Sequence, residues 1–298
     1  MCTFALDMKT AKCWIEAMRL RTLPVSVAGV LTACAFAVAH RCFMWVPALL
    51  CLVFALLCQI ASNFANEYYD WRAGRDRTGR EGPRRGVTEG DISPWAMKAA
   101  TFATLGAASA VGLSLVYWGG WWLIPIGALI GLGALAYSTG PFPLSTHCLG
   151  EATVLVFFGL VPVNLTYYVM AGSWSMPVFL ASLAVGLMGA NVLIVNNYRD
   201  MADDAAVGKH TLATALGGKA VLVLYAVNAI VASVLVYGSW AELGVYWEVV
   251  PSLYTVFAVE IAVQMRRLRG AALNPYLGRT SMLMFGLSLI FLVAWILN

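Results

Sequence analysis

Two clusters of carboxylate and amide side chains stand at the ends of apolar segments. The first cluster runs Asn66-Glu67-Tyr68-Tyr69-Asp70 and continues to Asp76, and the second runs Asn196-Asn197-Tyr198-Arg199-Asp200 and continues to Asp204. Nine of the 15 acidic residues fall within 67–91 and 200–204. Because acidic side chains are costly at a membrane, their concentration in two short windows indicates a functional site.

The spacing within each cluster places oxygen-bearing side chains on one face of a helix. Asn66 and Asp70 are four residues apart, and so are Asp200 and Asp204. Carboxylate and amide oxygens are hard ligands that suit Mg²⁺, which commonly bridges such groups to phosphate oxygens. Without a metal these carboxylates would repel a phosphate. The two clusters therefore predict a Mg²⁺-dependent phosphate site.

Basic side chains are interleaved with these acids. Arg offers a planar fork for phosphate oxygens and Lys offers a mobile point charge. Acids and bases beside lipid-accessible segments favour a diphosphate that carries an apolar tail. The alternative, that arginines only anchor the chain at the membrane surface, is the one we favour for Arg266, Arg267 and Arg269. The candidate diphosphate ligands are Arg72, Arg77, Arg84, Arg85, Asn196, Asn197, Arg199 and Lys209.

The rest of the chain must hold these clusters at a membrane. Of its 298 residues 61% are hydrophobic and 11% charged, and the mean hydropathy of +0.77 lies outside the range of soluble domains. We predict an all-α membrane protein, a bundle of nine helices that each cross about 30 Å of hydrocarbon. The predicted spans are 23–40, 44–65, 97–117, 120–138, 151–171, 176–197, 219–240, 246–265 and 280–297. Residues 1–298 then form a single transmembrane domain whose site loops are 66–95, 139–150 and 198–218.

The basic residues predict the orientation of the bundle. Eighteen of the 19 fall on one side of the predicted spans, and only Arg41 falls on the other. The positive-inside rule then places the N-terminus and both clusters in the cytoplasm and the C-terminus outside. Residues 1–22 carry charges and lack a continuous apolar core, so no cleavable signal is expected. The net charge of +4 fits a face that meets anionic membrane lipid, and it requires no nucleic-acid partner.

Almost the whole chain resembles the UbiA-type intramembrane prenyltransferases. The patterns Asn66-x3-Asp70-x5-Asp76 and Asp200-x3-Asp204 are similar to the two Asp-rich motifs of that family. The segments NNYRDMADDAAVGKHTLATALG (196–217) and YSTGPFPLSTHCLGE (137–151), together with the Asp76 spacing and the run 80–85, resemble the 1,4-dihydroxy-2-naphthoate prenyltransferases of menaquinone synthesis. One departure is Glu67, which stands where the family usually has Asp.

This resemblance implies transfer of a polyprenyl group from polyprenyl diphosphate to 1,4-dihydroxy-2-naphthoate, with loss of diphosphate and CO₂, to give demethylmenaquinol. It implies a multi-pass protein of the bacterial inner membrane. The metal-binding and catalytic residues would be Asn66, Asp70, Asp76, Asp200 and Asp204. Aromatic rings can shield an allylic cation, and the candidates for the acceptor and cation pocket are Tyr68, Tyr69, Tyr137 and His147.

Two alternatives remain open at this point. Another UbiA-type enzyme would use a different acceptor, such as 4-hydroxybenzoate, homogentisate or haem. An ion-coupled transporter would also carry intramembrane acids paired with arginines. Transporter charges cluster near the bilayer midplane, whereas the two clusters here lie at the ends of the second and sixth predicted spans.

Overall fold

Nine apolar helices make up most of the part of the chain that the structure describes. The structure is a computed structural model that describes residues 11–79, 81–240, 243 and 245–298. The helices are α1 (Leu23–Ala39), α2 (Trp45–Arg72), α3 (Pro94–Gly119), α4 (Leu123–Ala136), α5 (Gly150–Ala171), α6 (Met176–Arg199), α7 (Leu212–Trp240), α8 (Val245–Met265) and α9 (Asn274–Leu297). Eight are long and apolar enough to span a membrane, and α4, with 14 residues, is the shorter ninth. The predicted all-α nine-helix bundle is confirmed.

The observed helix ends differ from the predicted ones where polar residues are buried. Helix α2 continues past residue 65 to Arg72, so residues 66–70 of the first polar cluster are helical, whereas Asp76 lies in the loop that follows. Helix α9 begins at Asn274, with a proline in its first turn where the missing N–H costs nothing. Helix α7 contains a break at Gly217, whose φ of 80° is not helical. Its regular part therefore starts close to the predicted residue 219.

Large apolar side chains cover the outside of the bundle. Leu132 on α4 is 62% exposed, Val234 on α7 is 69% exposed and Val256 on α8 is 61% exposed. A soluble monomer rarely leaves such side chains uncovered over a wide area. Lipid chains cover them in a bilayer, so the surface is that of a multi-pass membrane protein.

Helix α6, which carries the second polar cluster, is the most deeply buried of the described spans. It crosses α5 at very close range, at the π-helical segment Leu155–Leu160 of that helix. A Cβ added to Gly159 would lie 2.5 Å from the Cα of Gly186, and a Cβ on Gly186 would lie 2.7 Å from the carbonyl oxygen of Leu155. Small residues allow this approach of two backbones. The crossing therefore fixes the position of α6.

Both polar clusters lie at one end of the bundle, which we call the polar end. It consists of the C-terminal ends of α2 and α6 and the loops 73–93, 137–149, 200–211 and 266–273. Two of these loops are joined by a backbone hydrogen bond of 2.9 Å from the N–H of Cys148 to the carbonyl oxygen of His210. Arg77 of the first loop pairs with Asp203 of the third, at 2.9 Å. The loops thus bring together residues that are far apart in sequence.

Candidate active site

The two acidic motifs meet at one small polar pocket at the polar end. Asp70 and Asp76 reach it from the first motif, and Asp203, Asp204 and Lys209 reach it from the second. Arg75 and Arg77 complete the lining. Helix α2 presents Asp70 from its last turn, while Asp204 belongs to the short helix Met201–Ala206 that follows α6. The pocket therefore combines carboxylates and cations from both halves of the chain.

Each motif carboxylate is paired with a basic side chain. Arg75 Nε lies 2.9 Å from Asp70 Oδ1, and Lys209 Nζ lies 3.2 Å from Asp204 Oδ1. Three more distances complete the set: Arg85 Nε to Asp76 Oδ2 is 3.3 Å, Arg199 Nε to Asp200 Oδ1 is 2.7 Å, and Arg199 Nη2 to Asp200 Oδ2 is 2.8 Å. Buried charges require such partners, since desolvating an isolated ion is expensive.

The donor set of the pocket suits a hard divalent cation. Within the described ranges, no three His, Cys, Asp or Glu side chains already form a set of metal ligands. Asp70, Asp76 and Asp204 nevertheless line the same pocket and offer only oxygen donors, which is the chemistry that Mg²⁺ prefers. Arg75 and Lys209 hold the oxygens that such a cation would take. The residues therefore fit Mg²⁺ when Arg75 and Lys209 pair with another anion and leave the carboxylate oxygens to the cation.

A larger cavity of about 760 Å³ opens from the polar end into the bundle. Its mouth is polar, with Asn66, Arg85, Asp200 and Lys209 among the lining residues, and its deeper walls are apolar. The apolar walls come from α2 to α5 and include Phe54, Leu105, Ile130, Phe157 and Leu165. A cavity with a charged mouth and an apolar interior suits a ligand with an anionic head and a hydrocarbon chain.

Asn66 connects the pocket to the cavity. Its amide nitrogen donates to Asp70 Oδ2 at 3.0 Å and to Ser138 Oγ at 3.1 Å. Its amide oxygen accepts from Arg85 Nη2 at 3.0 Å and also from Arg19. Since every hydrogen-bonding position of the amide is used, Asn66 orients Asp70 on one side and two arginines on the other.

Comparison with known proteins identifies the family. Residues 26–284 match the UbiA prenyltransferase family. The chain belongs to that family. A relative from Haemophilus influenzae, named 1,4-dihydroxy-2-naphthoate octaprenyltransferase, is 37% identical over 214 residues, which are 69% of this chain and 70% of that protein. A relative of the same name from Mycobacterium tuberculosis is 34% identical over 272 residues, which are 91% of this chain and 92% of that protein.

Solved structures share the fold of this UbiA-family chain. A UbiA homolog from Archaeoglobus fulgidus, determined with bound DMAPP and Mg²⁺, superposes with a TM-score of 0.66 at 13% identity, over 94% of this chain and 99% of that chain. The apo structure of a UbiA homolog from Aeropyrum pernix K1 gives a TM-score of 0.61 at 18% identity, over 93% of this chain and 96% of that chain. At such identities the likeness concerns the fold alone.

The candidate diphosphate ligands of this UbiA-family chain occupy different places. Asn196, Asn197, Arg199 and Lys209 line the mouth of the cavity together with Arg85. Within this group, Asn197 donates to Glu151 Oε1 at 2.9 Å, and Arg199 donates to Asn196 Oδ1 at 2.8 Å. Three other candidates do not line the cavity: Arg77 lines the small pocket and is half-exposed against Asp203, Arg84 pairs with Asp91 inside its own loop, and Arg72 is exposed at the end of α2.

Of the four aromatic candidates, the described cavity lining includes Tyr137 but not Tyr68, Tyr69 or His147. Tyr68 packs against a separate apolar cluster that includes Phe64, and the ring of Tyr69 lies against that of Tyr68. His147 is exposed and stacks on Phe142, with ring centroids 3.7 Å apart. The structure therefore brings only Tyr137 to the cavity.

Tyr137 stays protonated at neutral pH. Burial raises the pKa of its phenol well above the ordinary value, and the carboxylate of Glu151 adds to the rise. A neutral phenol can donate a hydrogen bond, and the face of its ring can stabilise a cation. Tyr137 therefore offers two kinds of contact to a ligand in the cavity.

Three residues at the site have no role in the sequence analysis. They are Arg19, Ser138 and Asp203. Signals for two of them were present: Asp203 directly precedes a motif aspartate, and Ser138 lies in the segment 137–151 that resembles the family. Arg75, one of the basic residues interleaved with the motif acids, lies against Asp70 as its position between two motif aspartates suggests. Arg19 precedes the first span and resembles an ordinary topology anchor.

Glu81 of the loop 73–93 is hydrogen-bonded to the connection between α8 and α9, and we call this contact the latch. The backbone N–H of Ala271 donates to Glu81 Oε2 at 2.8 Å, and Asn274 Nδ2 lies 3.5 Å from the carbonyl oxygen of Glu81. Asn274 Oδ1 in turn accepts from Arg199 Nη1 at 3.1 Å. Gly270 has a φ of 55°, a conformation that favours glycine, and a Cβ there would also lie 2.7 Å from the carboxylate of Glu81.

We expect Glu81→Ala to lower kcat/KM for prenyl transfer about 10-fold, because a hydrogen bond to a charged group contributes about 1.5–3 kcal/mol. The loop 73–93 should also be cleaved faster in limited proteolysis. Glu89→Ala, an exposed residue of the same loop, is the matched control and should behave as wild type. Equal effects of the two substitutions would contradict a latch.

Proposed function

We propose that this UbiA-family protein transfers a polyprenyl group from polyprenyl diphosphate to 1,4-dihydroxy-2-naphthoate, releasing diphosphate and CO₂ and forming demethylmenaquinol. Residues 1–298 act as one transmembrane unit in the bacterial inner membrane, with the polar end and N-terminus in the cytoplasm and the C-terminus outside. The observation that carries the proposal is the meeting of two acidic motifs and Lys209 at the mouth of an apolar cavity of about 760 Å³.

The comparisons support the choice of substrates. Relatives at 34–37% identity, one of them aligned over 91% of this chain, are named for 1,4-dihydroxy-2-naphthoate as acceptor. A structural neighbour of the same fold was determined with DMAPP, a prenyl diphosphate, and with Mg²⁺. The polar clusters also lie at one end of the bundle rather than at its middle, which disfavours a transporter.

The first chemical step is the departure of diphosphate. Mg²⁺ bound by Asp70, Asp76 and Asp204, with Asn66 and Asp200 nearby, would supply the positive charge that the departing diphosphate needs. Lys209 and Arg75 pair with motif carboxylates in the structure, and both would be free to donate to diphosphate oxygens if those carboxylates held a metal ion. The allylic C–O bond breaks, and its electron pair leaves with the diphosphate.

The second step joins the two substrates. Apolar walls such as Phe157 and Leu165 keep water away from the allylic cation, and the ring of Tyr137 stabilises it. The electron-rich naphthalenediol ring attacks the cation through the carbon that carries the carboxylate, forming the new C–C bond. The bond to the carboxylate carbon then breaks, CO₂ leaves, and the electron pair of that bond restores the aromatic ring.

An acceptor panel tests this function. Purified protein in nanodiscs is incubated with a polyprenyl diphosphate and with 1,4-dihydroxy-2-naphthoate, 4-hydroxybenzoate or homogentisate, in Mg²⁺ or EDTA. We expect a prenylated product with the naphthoate and Mg²⁺, and none with EDTA. Product from another acceptor alone would keep the mechanism and replace the substrate. An absence of product with every acceptor would point to a transporter.

A further inference from the structure

An acid that the mechanism leaves unused lies beside the mouth of the cavity. Glu151 stands in the first turn of α5 and is 7% exposed. Its Oε1 accepts from Asn197 Nδ2 at 2.9 Å, whereas its Oε2 has no hydrogen-bond partner in the described part of the chain. The described residues provide it with no ion pair, although every motif aspartate has one. A buried acid without a cation is costly, so its presence at the mouth indicates a function.

Three polar side chains from other segments lie near this acid and line the cavity. They are Tyr137 and Ser145 of the loop 137–149 and Asn197 of α6. The N–H of Ser145 donates to the carbonyl oxygen of Tyr137 at 2.9 Å, and a Cβ on Gly150 would lie 3.7 Å from the hydroxyl oxygen of Tyr137. The loop and the start of α5 therefore meet at the mouth. We call the acid and these three side chains the mouth cluster.

The mouth cluster leaves hydrogen-bonding groups open to a ligand. Ser145 is 6% exposed, and its hydroxyl group has no partner among the described residues. Asn197 turns its amide nitrogen to Glu151, because an ionised carboxylate can only accept. The amide oxygen of Asn197 accepts no hydrogen bond from the described residues. Polar groups that are buried without partners are costly, so the cluster indicates a ligand that pairs with them.

The chemistry of the mouth cluster favours a hydroxyl group over an anion. The oxygens of a diphosphate or a carboxylate are acceptors, so they form no hydrogen bond with the amide oxygen of Asn197 and are repelled by the acid of Glu151. A phenolic hydroxyl group can donate to Asn197 Oδ1 and accept from Ser145 Oγ. The aromatic acceptor of the proposed function carries two such hydroxyl groups.

We propose that Asn197 and Ser145 bind a ring hydroxyl group of the aromatic acceptor, and that Glu151 is the positioning residue that turns the amide of Asn197 for this contact. The inference rests on the proposed function, and it assigns Asn197 to the acceptor rather than to the diphosphate. Arg199 and Lys209 line the same mouth and remain with the diphosphate. The ring of the acceptor is thereby held beside Tyr137, at the end of the cavity from which the diphosphate departs.

The test compares the binding of 1,4-dihydroxy-2-naphthoate with that of 2-naphthoate, which has the carboxylate but no ring hydroxyl group. We expect Asn197→Leu and Ser145→Ala each to raise the Kd of 1,4-dihydroxy-2-naphthoate about 3- to 10-fold, since one hydrogen bond is lost. The Kd of 2-naphthoate and the KM for polyprenyl diphosphate should not change. Ser114→Ala is the matched control, because this exposed serine of α3 donates only to the carbonyl oxygen of Val111.

A double-mutant cycle tests the positioning role of Glu151. Glu151→Gln keeps the size of the side chain, but its new amide group can also donate, so the amide of Asn197 is no longer held in one orientation. We expect Glu151→Gln to weaken the binding of 1,4-dihydroxy-2-naphthoate and to leave that of 2-naphthoate unchanged. In the Asn197→Leu background it should cause no further loss, because Glu151 acts through Asn197.

Three results would overturn the inference. They are equal losses with the two naphthoates, a raised KM for polyprenyl diphosphate in Asn197→Leu, and additive losses in the cycle. Ser145→Ala removes only one oxygen atom, so it carries the test if Asn197→Leu does not fold. Failure of the proposed function looks different, since wild-type protein would then neither bind nor prenylate 1,4-dihydroxy-2-naphthoate.

Discussion

Replacing Asp70 with Asn is expected to lower the turnover of prenyl transfer by about 10²–10³-fold, the loss typical when one group that stabilises a departing anion is removed. Asp70 is buried, lines the pocket where both motifs meet, and has its carboxylate oriented by Asn66 at 3.0 Å. Asn at this position keeps the size of the side chain but removes its charge. Turnover and its dependence on Mg²⁺ concentration should be measured together, and the variant should need more Mg²⁺ for half-maximal activity.

Two further variants distinguish the loss of a metal ligand from other effects of the Asp70 substitution. Glu260→Gln, an exposed acid on α8 that lines neither the pocket nor the cavity, should retain activity. Arg75→Gln removes the partner that now lies 2.9 Å from Asp70. If Asp70 served only to hold Arg75, the two variants would lose the same activity and neither would change the Mg²⁺ requirement. That pattern would contradict the assignment of Asp70.

Replacing Gly159 with Ala is expected to destabilise the bundle by about 3 kcal/mol, the upper end of the usual cost of overpacking. The added Cβ would lie 2.4 Å from the carbonyl oxygen of Ser182 and 2.5 Å from the Cα of Gly186. Both are backbone atoms of α6 and cannot turn aside as a flexible side chain would. Because α6 carries Asn196 to Arg199 to the site, the crossing of α5 and α6 also positions the second motif.

Thermal denaturation in detergent measures this effect, with the recovery of monodisperse protein as a second readout. The control is Gly286→Ala on α9, where an added Cβ would meet nothing within 4 Å. We expect Gly286→Ala to melt at or slightly above the wild-type temperature, since Ala favours a helix over Gly. If Gly159→Ala melted at the same temperature as this control, the close crossing would be wrong.

Hydropathy predicts the helices well because burial in lipid requires long apolar runs. Hydropathy alone ends the second span at residue 65, whereas the four-residue spacing of Asn66 and Asp70 predicts that the helix continues, and the structure shows it continuing to Arg72. There the polar side chains are satisfied by distant backbone atoms: Asn63 Nδ2 donates to the carbonyl oxygen of Met18 at 2.9 Å, and Glu67 Oε1 accepts from the N–H of Val87 at 3.1 Å. A profile of local hydropathy does not contain such partners.

The site could be predicted only as far as its residues are close in sequence. The four-residue spacing of Asp200 and Asp204 predicts one helix face, but Asp200 stands at the break between α6 and the short helix Met201–Ala206. Asp200 therefore lines the cavity while Asp204 lines the small pocket. Arg19 and Ser138, by contrast, reach Asn66 from 47 and 72 positions away, so no local pattern connects them. Proximity in sequence also fails to identify the partners of the loop arginines. Arg84 stands beside acids in sequence, yet its partner is Asp91 of its own loop.

The most direct test of the central claim follows the carboxyl carbon of the acceptor. Wild-type protein in nanodiscs is given Mg²⁺, a polyprenyl diphosphate and 1,4-dihydroxy-2-naphthoate labelled with ¹³C in its carboxyl group. Released CO₂, diphosphate and prenylated product are then quantified by mass spectrometry. We predict equal amounts of labelled CO₂, diphosphate and unlabelled demethylmenaquinol. A prenylated product that retains the label, or diphosphate released without any prenylated naphthalene, would contradict the account.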